Sequence, residues 1–340
     1  MTGRRPWNSE KEMEGTCSRP AVAPSIFDTS ELSSRLFFAI PKKGRLHEHC
    51  IALLQGADIQ FKRGSRVDIA LSSNLPIALV FLPAADIAKF VADGNVDLGI
   101  TGQDVVRESG VDVEEVMGLG FGKCNLSVQV PISSGVKDVR ELVGKRIVTS
   151  FERLVYEFFA ELEGKQPHPP NETLTGQESG ATAIIPVLET RINYVSGSVE
   201  AACGLGLADA VVDLVESGET MRAANLHAIH ILCPSEAVLI CNKAKKNSNA
   251  LIAKIARRIE GVITAQRYAL INYNVPRSFL SRAIQITPGK QAPTISPLEH
   301  NNWVAVSAMV MKNKVAEMMD ELEGAGATDI LVFNINNCRV

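Results

Sequence analysis

Short apolar strands and helical patterns take turns along most of this chain, and that alternation restricts its possible folds more than any other feature. Leu36-Phe37-Phe38-Ala39-Ile40 reads as a strand, Leu46 to Gly56 as a helix, Asp68 to Leu71 and Ala78 to Leu82 as strands, Ala85 to Asp93 as a helix, and Asp97 to Thr101 as a strand. Such an order gives an α/β domain around a parallel or mixed sheet. Ligands of open sheets sit beyond the strand ends, so binding groups are expected in the turns after Ile40, Ile100 and Val215. From Tyr268 onward the segments are Tyr268 to Tyr273, Pro276 to Ala283, Ser296 to Leu298, Trp303 to Met309, Lys314 to Ala325 and Ile330 to Ile335. They read as strand, helix, strand, strand, helix, strand, a ferredoxin-like α+β order.

A chain of 340 residues exceeds one compact core and suggests two or three domains, which its 46% hydrophobic content can fill. It has no run of 18 or more apolar residues, so no membrane span is expected. The formal charge of −3, without a basic stripe, speaks against a nucleic-acid surface and leaves pockets for small anions open. Seven cysteines, at positions 17, 50, 124, 203, 233, 241 and 338, form no CxxC pair and read as reduced, packed thiols of a cytoplasmic protein. Residues 1–34, polar and mixed in charge, read as a disordered tail rather than a secretory leader. Residues 164–183, rich in Pro, Gly, Thr and Glu, read as a surface insertion.

The densest chemical signal is Glu200 to Met221, EAACGLGLADAVVDLVESGETM. Ala210 to Val215 is a β-branched strand, Glu216-Ser217-Gly218-Glu219-Thr220 a turn, and Met221 to Leu226 can open a helix. A strand that stops in Ser-Gly-x-Thr at a helix start offers N–H groups, hydroxyls and the positive end of a helix dipole to one point, where a phosphate can sit. Asp213, at the strand's end, can accept hydrogen bonds from vicinal ribose hydroxyls. An ordinary turn with a hydroxyl N-cap explains Ser-Gly-x-Thr alone equally well. Lys42-Lys43-Gly44-Arg45 is either a solvated basic loop or a polyphosphate grip in which the arginine takes an oxygen pair bidentately. Gly99 to Asp104 places Thr101 and Gly102 at another strand end, with Asp104 either a helix N-terminal carboxylate or a pocket group. Thr149-Ser150, after the strand Arg146-Ile147-Val148, can form the hydroxyl half of a pocket wall. His47 and His49 sit at i and i+2 of a helix and face apart, and neither they nor His227 and His230 supply the four ligands of a closed zinc site. No GxxxxGK[ST], GxSxG or HExxH pattern occurs, which removes support for P-loop NTPases, triad hydrolases and metalloproteases.

With Glu200, the small residues Gly204, Gly206 and Ala208, Asp213 and the turn, the stretch Glu200 to Met221 resembles the signature of the ATP phosphoribosyltransferase family. The similarity extends through LFFAIPKKGRL (Leu36 to Leu46), DLGITGQD (Asp97 to Asp104), GKRIVTSF (Gly144 to Phe151), SGSVEA (Ser196 to Ala201) and ITPGKQAPTISPL (Ile286 to Leu298). It covers residues 35–340 with one interruption. The resemblance implies a two-lobed catalytic core like that of periplasmic binding proteins, with lobe I at 35–125 and 231–266 and lobe II at 126–230. It also implies an ACT-like domain at 267–340 that binds histidine as feedback inhibitor. The implied reaction opens histidine biosynthesis: adenine N1 of ATP attacks C1 of phosphoribosyl pyrophosphate, giving N1-(5-phospho-β-D-ribosyl)-ATP and pyrophosphate.

On that resemblance Asp213 grips the ribose hydroxyls, and Glu216, Ser217, Gly218, Glu219 and Thr220 seat the 5′-phosphate. Lys43, Gly44 and Arg45 face ATP or leaving pyrophosphate, while Thr101, Gly102, Asp104, Thr149, Ser150 and Glu200 line the pocket. Mg²⁺ is expected as a substrate-chelated ion rather than in a protein cage. Asn274, Thr294 and Asp329 fall where the family places effector contacts, although Asn274 stands where many relatives carry aspartate. Phe151-Glu152 likewise replaces an aromatic-proline pair. A homo-hexamer exchanging with dimers is implied. Two other readings stay open: a solute-binding protein, which would need a secretory leader, and an inactive amino-acid-sensing regulatory subunit, which would tolerate a degenerate cleft.

Overall fold

The structure, a computed structural model, describes residue 32 and residues 34–64, 67–166, 187–245 and 249–339. The tail expected at 1–34 lies almost wholly outside the described residues, and so does the expected insertion beyond Gln166. The chain divides into two compact units, Met1–Arg35 and Leu36–Val340, and all of the strands and helices named here belong to the second.

The first lobe begins with β1 (Leu36–Pro41), α1 (Arg45–Gly56), β2 (Ile69–Leu71), β3 (Ile77–Leu82), α2 (Ala84–Ala92), β4 (Leu98–Gly102), α3 (Gln103–Ser109) and β5 (Glu114–Gly118). The second holds β6 (Cys124–Pro131), β7 (Arg146–Thr149), α4 (Glu152–Leu162), β8 (Arg191–Tyr194), α5 (Ala201–Gly204), β9 (Ala210–Val215), α6 (Glu219–Ala223) and β10 (Leu226–Ser235). The chain then returns to the first lobe through β11 (Ala237–Cys241) and α7 (Ala250–Arg267). It ends in a third domain with β12 (Tyr268–Pro276), α8 (Leu280–Ile286), β13 (Thr294–Pro297), β14 (Trp303–Met311), α9 (Val315–Gly324) and β15 (Thr328–Asn334).

Each lobe is an open mixed sheet with its own core. The first sheet has the order β2-β3-β1-β4-β11-β5. Its central β1, parallel to both β3 and β4, is apolar because both faces are covered. The second has the order β10-β6-β9-β7-β8, with β9 parallel to β7 and antiparallel to β6. The chain passes between the lobes twice, from β5 to β6 and from β10 to β11. These passages are hydrogen-bonded to one another, Leu119 N–H to Ala237 O at 2.8 Å and Ala237 N–H to Phe121 O at 3.0 Å. Two adjacent, mutually bonded crossings form a hinge rather than a loose linker. The second crossing lies later than the sequence suggests: β10 pairs with β6 as far as Ser235 opposite Cys124, so residues 231–235 stay in the second lobe.

The third domain bears out the ferredoxin-like expectation, with an antiparallel sheet in the order β13-β14-β12-β15. Strand β12 alternates strictly, burying Ile271, Tyr273 and Val275 in a shared cluster with Ala283 of α8 and Leu322 of α9. Each large apolar side chain so buried contributes about 1.5–3 kcal/mol. The phenol of Tyr273 meets the Thr287 hydroxyl at 2.8 Å, which satisfies its one buried polar atom. Helix α7 connects this domain to the first lobe, and its start is capped by the Asn249 side chain accepting from Leu251 N–H at 3.0 Å. The C-terminal tail returns to the first lobe: Cys338 N–H donates to Gly261 O of α7 at 3.0 Å, and the Asn337 amide reaches Gly56 O at the end of α1 at 3.2 Å. No helix among the described residues is long and apolar enough to cross a membrane.

Candidate active site

The turn after β9 forms as the sequence suggests, with one difference in the segment after it. Strand β9 ends at Val215, Gly218 takes a left-handed conformation (φ 74°), and the helix starts at Glu219 rather than Met221. It lasts only to Ala223, because Asn225 turns left-handed (φ 55°) and Leu226 opens β10. So short a helix has little macrodipole, and charge must come from elsewhere. Arg222 supplies it. Its guanidinium lies against Gly218 so closely that a Cβ there would come within 2.8 Å of Nη1. Ser217 Oγ accepts from Glu219 N–H at 3.4 Å, and Ser217, Glu219 and Thr220 are exposed.

Asp213 sits half-buried at the end of β9, one carboxylate oxygen accepting from its neighbour Leu214 N–H at 2.8 Å. Burial pushes its pKa up; that N–H opposes the shift, the Glu200 carboxylate adds to it, and the Arg45 guanidinium works against it. Glu200, at the N-cap of α5, and Arg45, at the start of α1, are the charged side chains that act on this carboxylate. Beneath Asp213 the buried Gln129 amide holds its backbone carbonyl at 3.2 Å.

The basic loop divides its labour. Lys42 pairs with Asp68 at 2.8 Å, whereas Lys43 is exposed and free to meet an anion. Gly44 adopts φ 88°, a left-handed geometry that lets α1 begin directly at Arg45. The Arg45 guanidinium then bridges the lobes, with Nη1 3.2 Å from Glu216 of the turn after β9 and Nη2 3.1 Å from Cys124 Sγ at the hinge. Residues 171 positions apart thus meet in the cleft. A second cross-lobe contact involves a residue that sequence reasoning missed: the Glu108 carboxylate of α3 accepts from Arg153 and Leu154 N–H at the start of α4, both at 3.0 Å. It caps the helix whose first residues depart from the family pattern. Phe151 just before it is buried in the second lobe's core.

Three of the expected pocket groups are buried and hydrogen-bonded within the protein. The Thr101 hydroxyl donates to Ala84 O at 2.8 Å, and the Thr149 hydroxyl donates to Val212 O at 2.8 Å while accepting from Phe151 N–H at 2.9 Å. Both threonines are fully buried. Asp104 is buried too, its carboxylate accepting a hydrogen bond from the Ser235 hydroxyl. Gly102 is required because a Cβ there would strike that carboxylate. Ser150 remains half-buried at the strand end. A separate cavity of about 690 Å³, lined by Arg107, Phe158, Lys165 and Leu232 among others, opens at the lobe junction and includes none of these groups.

In the third domain Asn274 donates to Asp329 at 2.9 Å, and Asp329 is left-handed (φ 51°) at an irregularity in the β12–β15 pairing. Thr294 lies two strands away, on the rung of Ser307 and Asn272. Two strand spacings are about 10 Å, so it does not touch the pair. Asn272, one rung from Asn274 on the same face, has a buried amide oxygen without a partner among the described residues.

The sequence and the fold have counterparts in known proteins. The ATP phosphoribosyltransferase family profile matches residues 83–261, and the profile described as HisG, C-terminal domain, matches residues 265–337. The ATP phosphoribosyltransferase of Yarrowia lipolytica is 52% identical over 313 residues, 92% of this chain and 99% of that protein. That of Saccharomyces cerevisiae is 51% identical over 311 residues, with the same two coverages. A chain of the ATP phosphoribosyl transferase (HisG:HisZ) complex from Thermotoga maritima has the same fold across 68% of this chain and 98% of its own, with a TM-score of 0.54 at 22% identity. With half the sequence of these yeast enzymes retained end to end, and the turn after β9, Asp213 and Arg45 gathered in one cleft, the chain belongs to the ATP phosphoribosyltransferase family.

Proposed function

We infer that the protein condenses ATP with phosphoribosyl pyrophosphate to give N1-(5-phospho-β-D-ribosyl)-ATP and pyrophosphate, the opening step of histidine biosynthesis. The observation that carries this reading is the meeting of Arg45 and Glu216 across the lobes, beside Asp213 and Glu200. Ser217 to Thr220 and Arg222 seat the 5′-phosphate, and Asp213 takes the ribose hydroxyls next to C1. The Arg45–Glu216 pair is partly exposed, and pairs of that kind contribute about 1 kcal/mol or less. The oxygen pair of an incoming pyrophosphoryl group therefore displaces Glu216 at little cost and gains a bidentate partner. Lys43 adds a mobile charge to the same leaving group.

Adenine N1 is already a free lone-pair donor, so the protein needs no base to activate it. Its work is to align N1 with C1 and to stabilise the leaving pyrophosphate as charge develops. Glu200 and Asp213 are carboxylates suited to touch a Mg²⁺ ion already wrapped in substrate oxygens, which would draw off part of that charge. The Asn274–Asp329 pair and the orphan oxygen of Asn272 support a histidine effector site on the third domain, where an ammonium and an imidazole N–H would find acceptors. The reading extends to a cytoplasmic homo-hexamer exchanging with dimers, which light scattering with and without histidine tests.

The deciding assay monitors absorbance with ATP, phosphoribosyl pyrophosphate, Mg²⁺ and pyrophosphatase. Histidine-suppressible product formation is expected. Turnover indifferent to histidine would remove the effector site, and no turnover by folded protein would leave a regulatory subunit.

A further inference from the structure

Polar groups on four different segments run behind the cleft, the Arg45 guanidinium partly exposed and the other three buried. Arg45 Nη2 donates to Cys124 Sγ at 3.1 Å, Cys124 is the register partner of Ser235 across β6 and β10, and the Ser235 hydroxyl donates to the Asp104 carboxylate. Cys124, Ser235 and Asp104 are each no more than 6% exposed. Ser235 has a single hydroxyl proton and donates it to Asp104, so its oxygen accepts from Asp104 N–H at 3.0 Å. Burial pushes the Cys124 thiol's pKa up, with Arg45 and Ser235 only partly opposing that shift. Sulfur's lone pairs face Arg45. The result is two contacts side by side, guanidinium N–H to sulfur and hydroxyl to carboxylate, made by residues that are partners across the hinge.

The place of these contacts in the fold matters as much as their partners. Cys124 and Ser235 are register partners at the first residue of β6 and the last of β10, where both crossings between the lobes run side by side. Arg45 and Asp104 both belong to the first lobe, at the starts of α1 and α3. Two neighbouring hinge residues therefore hold one group each, the thiol the guanidinium that reaches toward the turn after β9 and the hydroxyl a first-lobe carboxylate. One arm of Arg45 is fixed by the hinge, which leaves the Glu216 arm as the exchangeable one.

We propose that Cys124 is a positioning residue that fixes the Arg45 fork for the leaving pyrophosphate and makes its aim depend on the hinge. This rests on the reading of Arg45 as a substrate-facing cation. A fixed fork matches developing charge without reorganisation, so its loss should appear in turnover rather than in ground-state binding.

The test is a kinetic double-mutant cycle with the full-length protein. Cys124→Ala is expected to lower kcat about tenfold with little change in KM for either substrate. Cys124→Ser, which retains a donor and an acceptor, is expected to recover most of that loss. In an Arg45→Ala background Cys124→Ala should have no further effect, because the group it positions is gone. If Cys124→Ala does not fold, Cys124→Val, which fills the site but leaves no sulfur to accept from Arg45, is read the same way. Full activity of Cys124→Ala, or additive losses in the double variant, overturns the proposal. An Arg45→Ala variant that keeps full turnover instead overturns the reading of Arg45 itself, so the two failures are distinguishable.

Discussion

The catalytic cleft and the face of the third-domain sheet both present candidate binding groups, but they assemble them in opposite ways. Arg45, Cys124, Asp213 and Glu216 come from two lobes and meet only because two separate sheets are held against one hinge. Asn274 and Asp329 meet because β12 and β15 are neighbours in one ladder, and their contact is exposed. A site made by tertiary packing passes the loss of one group to the others, since removing a partner leaves a buried polar atom unsatisfied. A site made by strand register confines the loss to itself. The two regions should therefore differ sharply in how substitutions spread.

The strongest attempt to break this comparison is Arg45→Ala. It removes a side chain that touches both the turn and the hinge, and kcat/KM is expected to fall about 10²–10³-fold, the scale of losing a charge-stabilising donor. A loss under tenfold would show that Lys43 and Arg222 suffice. Asp213→Ala is expected to cost about a hundredfold in kcat/KM with the melting temperature almost unchanged, because the carboxylate's direct bond is to Leu214 N–H next to it. An equal loss of folded protein would make Asp213 structural. Gly218→Ala forces a side chain into φ 74° and against Arg222, at a cost of about 1–2 kcal/mol. A roughly tenfold rise in KM for phosphoribosyl pyrophosphate should accompany it.

On the sheet the expected pattern reverses. Asp329→Ala and Asn274→Ala should weaken histidine inhibition more than tenfold while turnover without histidine stays as it was. Asn272→Ala removes an unpartnered buried oxygen, so stability should move by less than about 1 kcal/mol even as histidine binds less well. If any of these variants lowers basal turnover as much as it lowers inhibition, the sheet is coupled to the cleft and the contrast between the regions fails.

How much of this could be read from the chain depended on whether a contact is local. Strand Ala210–Val215 and its turn are written in consecutive residues; the structure keeps the strand's bounds and gives the last two residues of the turn to the helix. Arg222 could have been found as well, since it lies four residues after Gly218 and one helical turn carries it back over the glycine. Thr101 and Thr149 show the limit: a hydroxyl at a strand end looks the same in sequence whether it faces ligand or donates to a neighbouring carbonyl, as both do here. Cys124, Ser235 and Glu108 were out of reach because their partners lie 45 to 131 positions away, across lobes whose packing no local pattern encodes. The seven cysteines gave no cue that one of them stands at a hinge.

The smallest expected effect sets lobe against domain by acid. Glu163, at the end of α4, accepts from Lys165 at 2.7 Å, Glu189 N–H at 2.8 Å, Thr190 N–H at 3.0 Å and the Thr190 hydroxyl at 2.7 Å. Burial would raise its pKa, but these donors overcome that and hold it down at about 2, against a usual 4.5. A carboxylate depressed in the folded state stabilises the fold above its unfolded value and loses that contribution as pH falls through its folded value. Glu163→Gln should therefore cost about 1–3 kcal/mol near neutral pH, and the gap to the native protein should close between pH 4.5 and 2. The third domain offers an internal control. Fluorescence of Trp303 in a Trp7→Phe background, with these the only two tryptophans, should report on that domain and show no such pH-dependent difference. A gap that stays constant with pH would mean that Glu163 holds the end of α4 by shape rather than by charge. A Trp303 signal that tracks the gap would mean that lobe and domain unfold as one unit, and the separation drawn between cleft and sheet would then stop at ligand binding and not extend to stability.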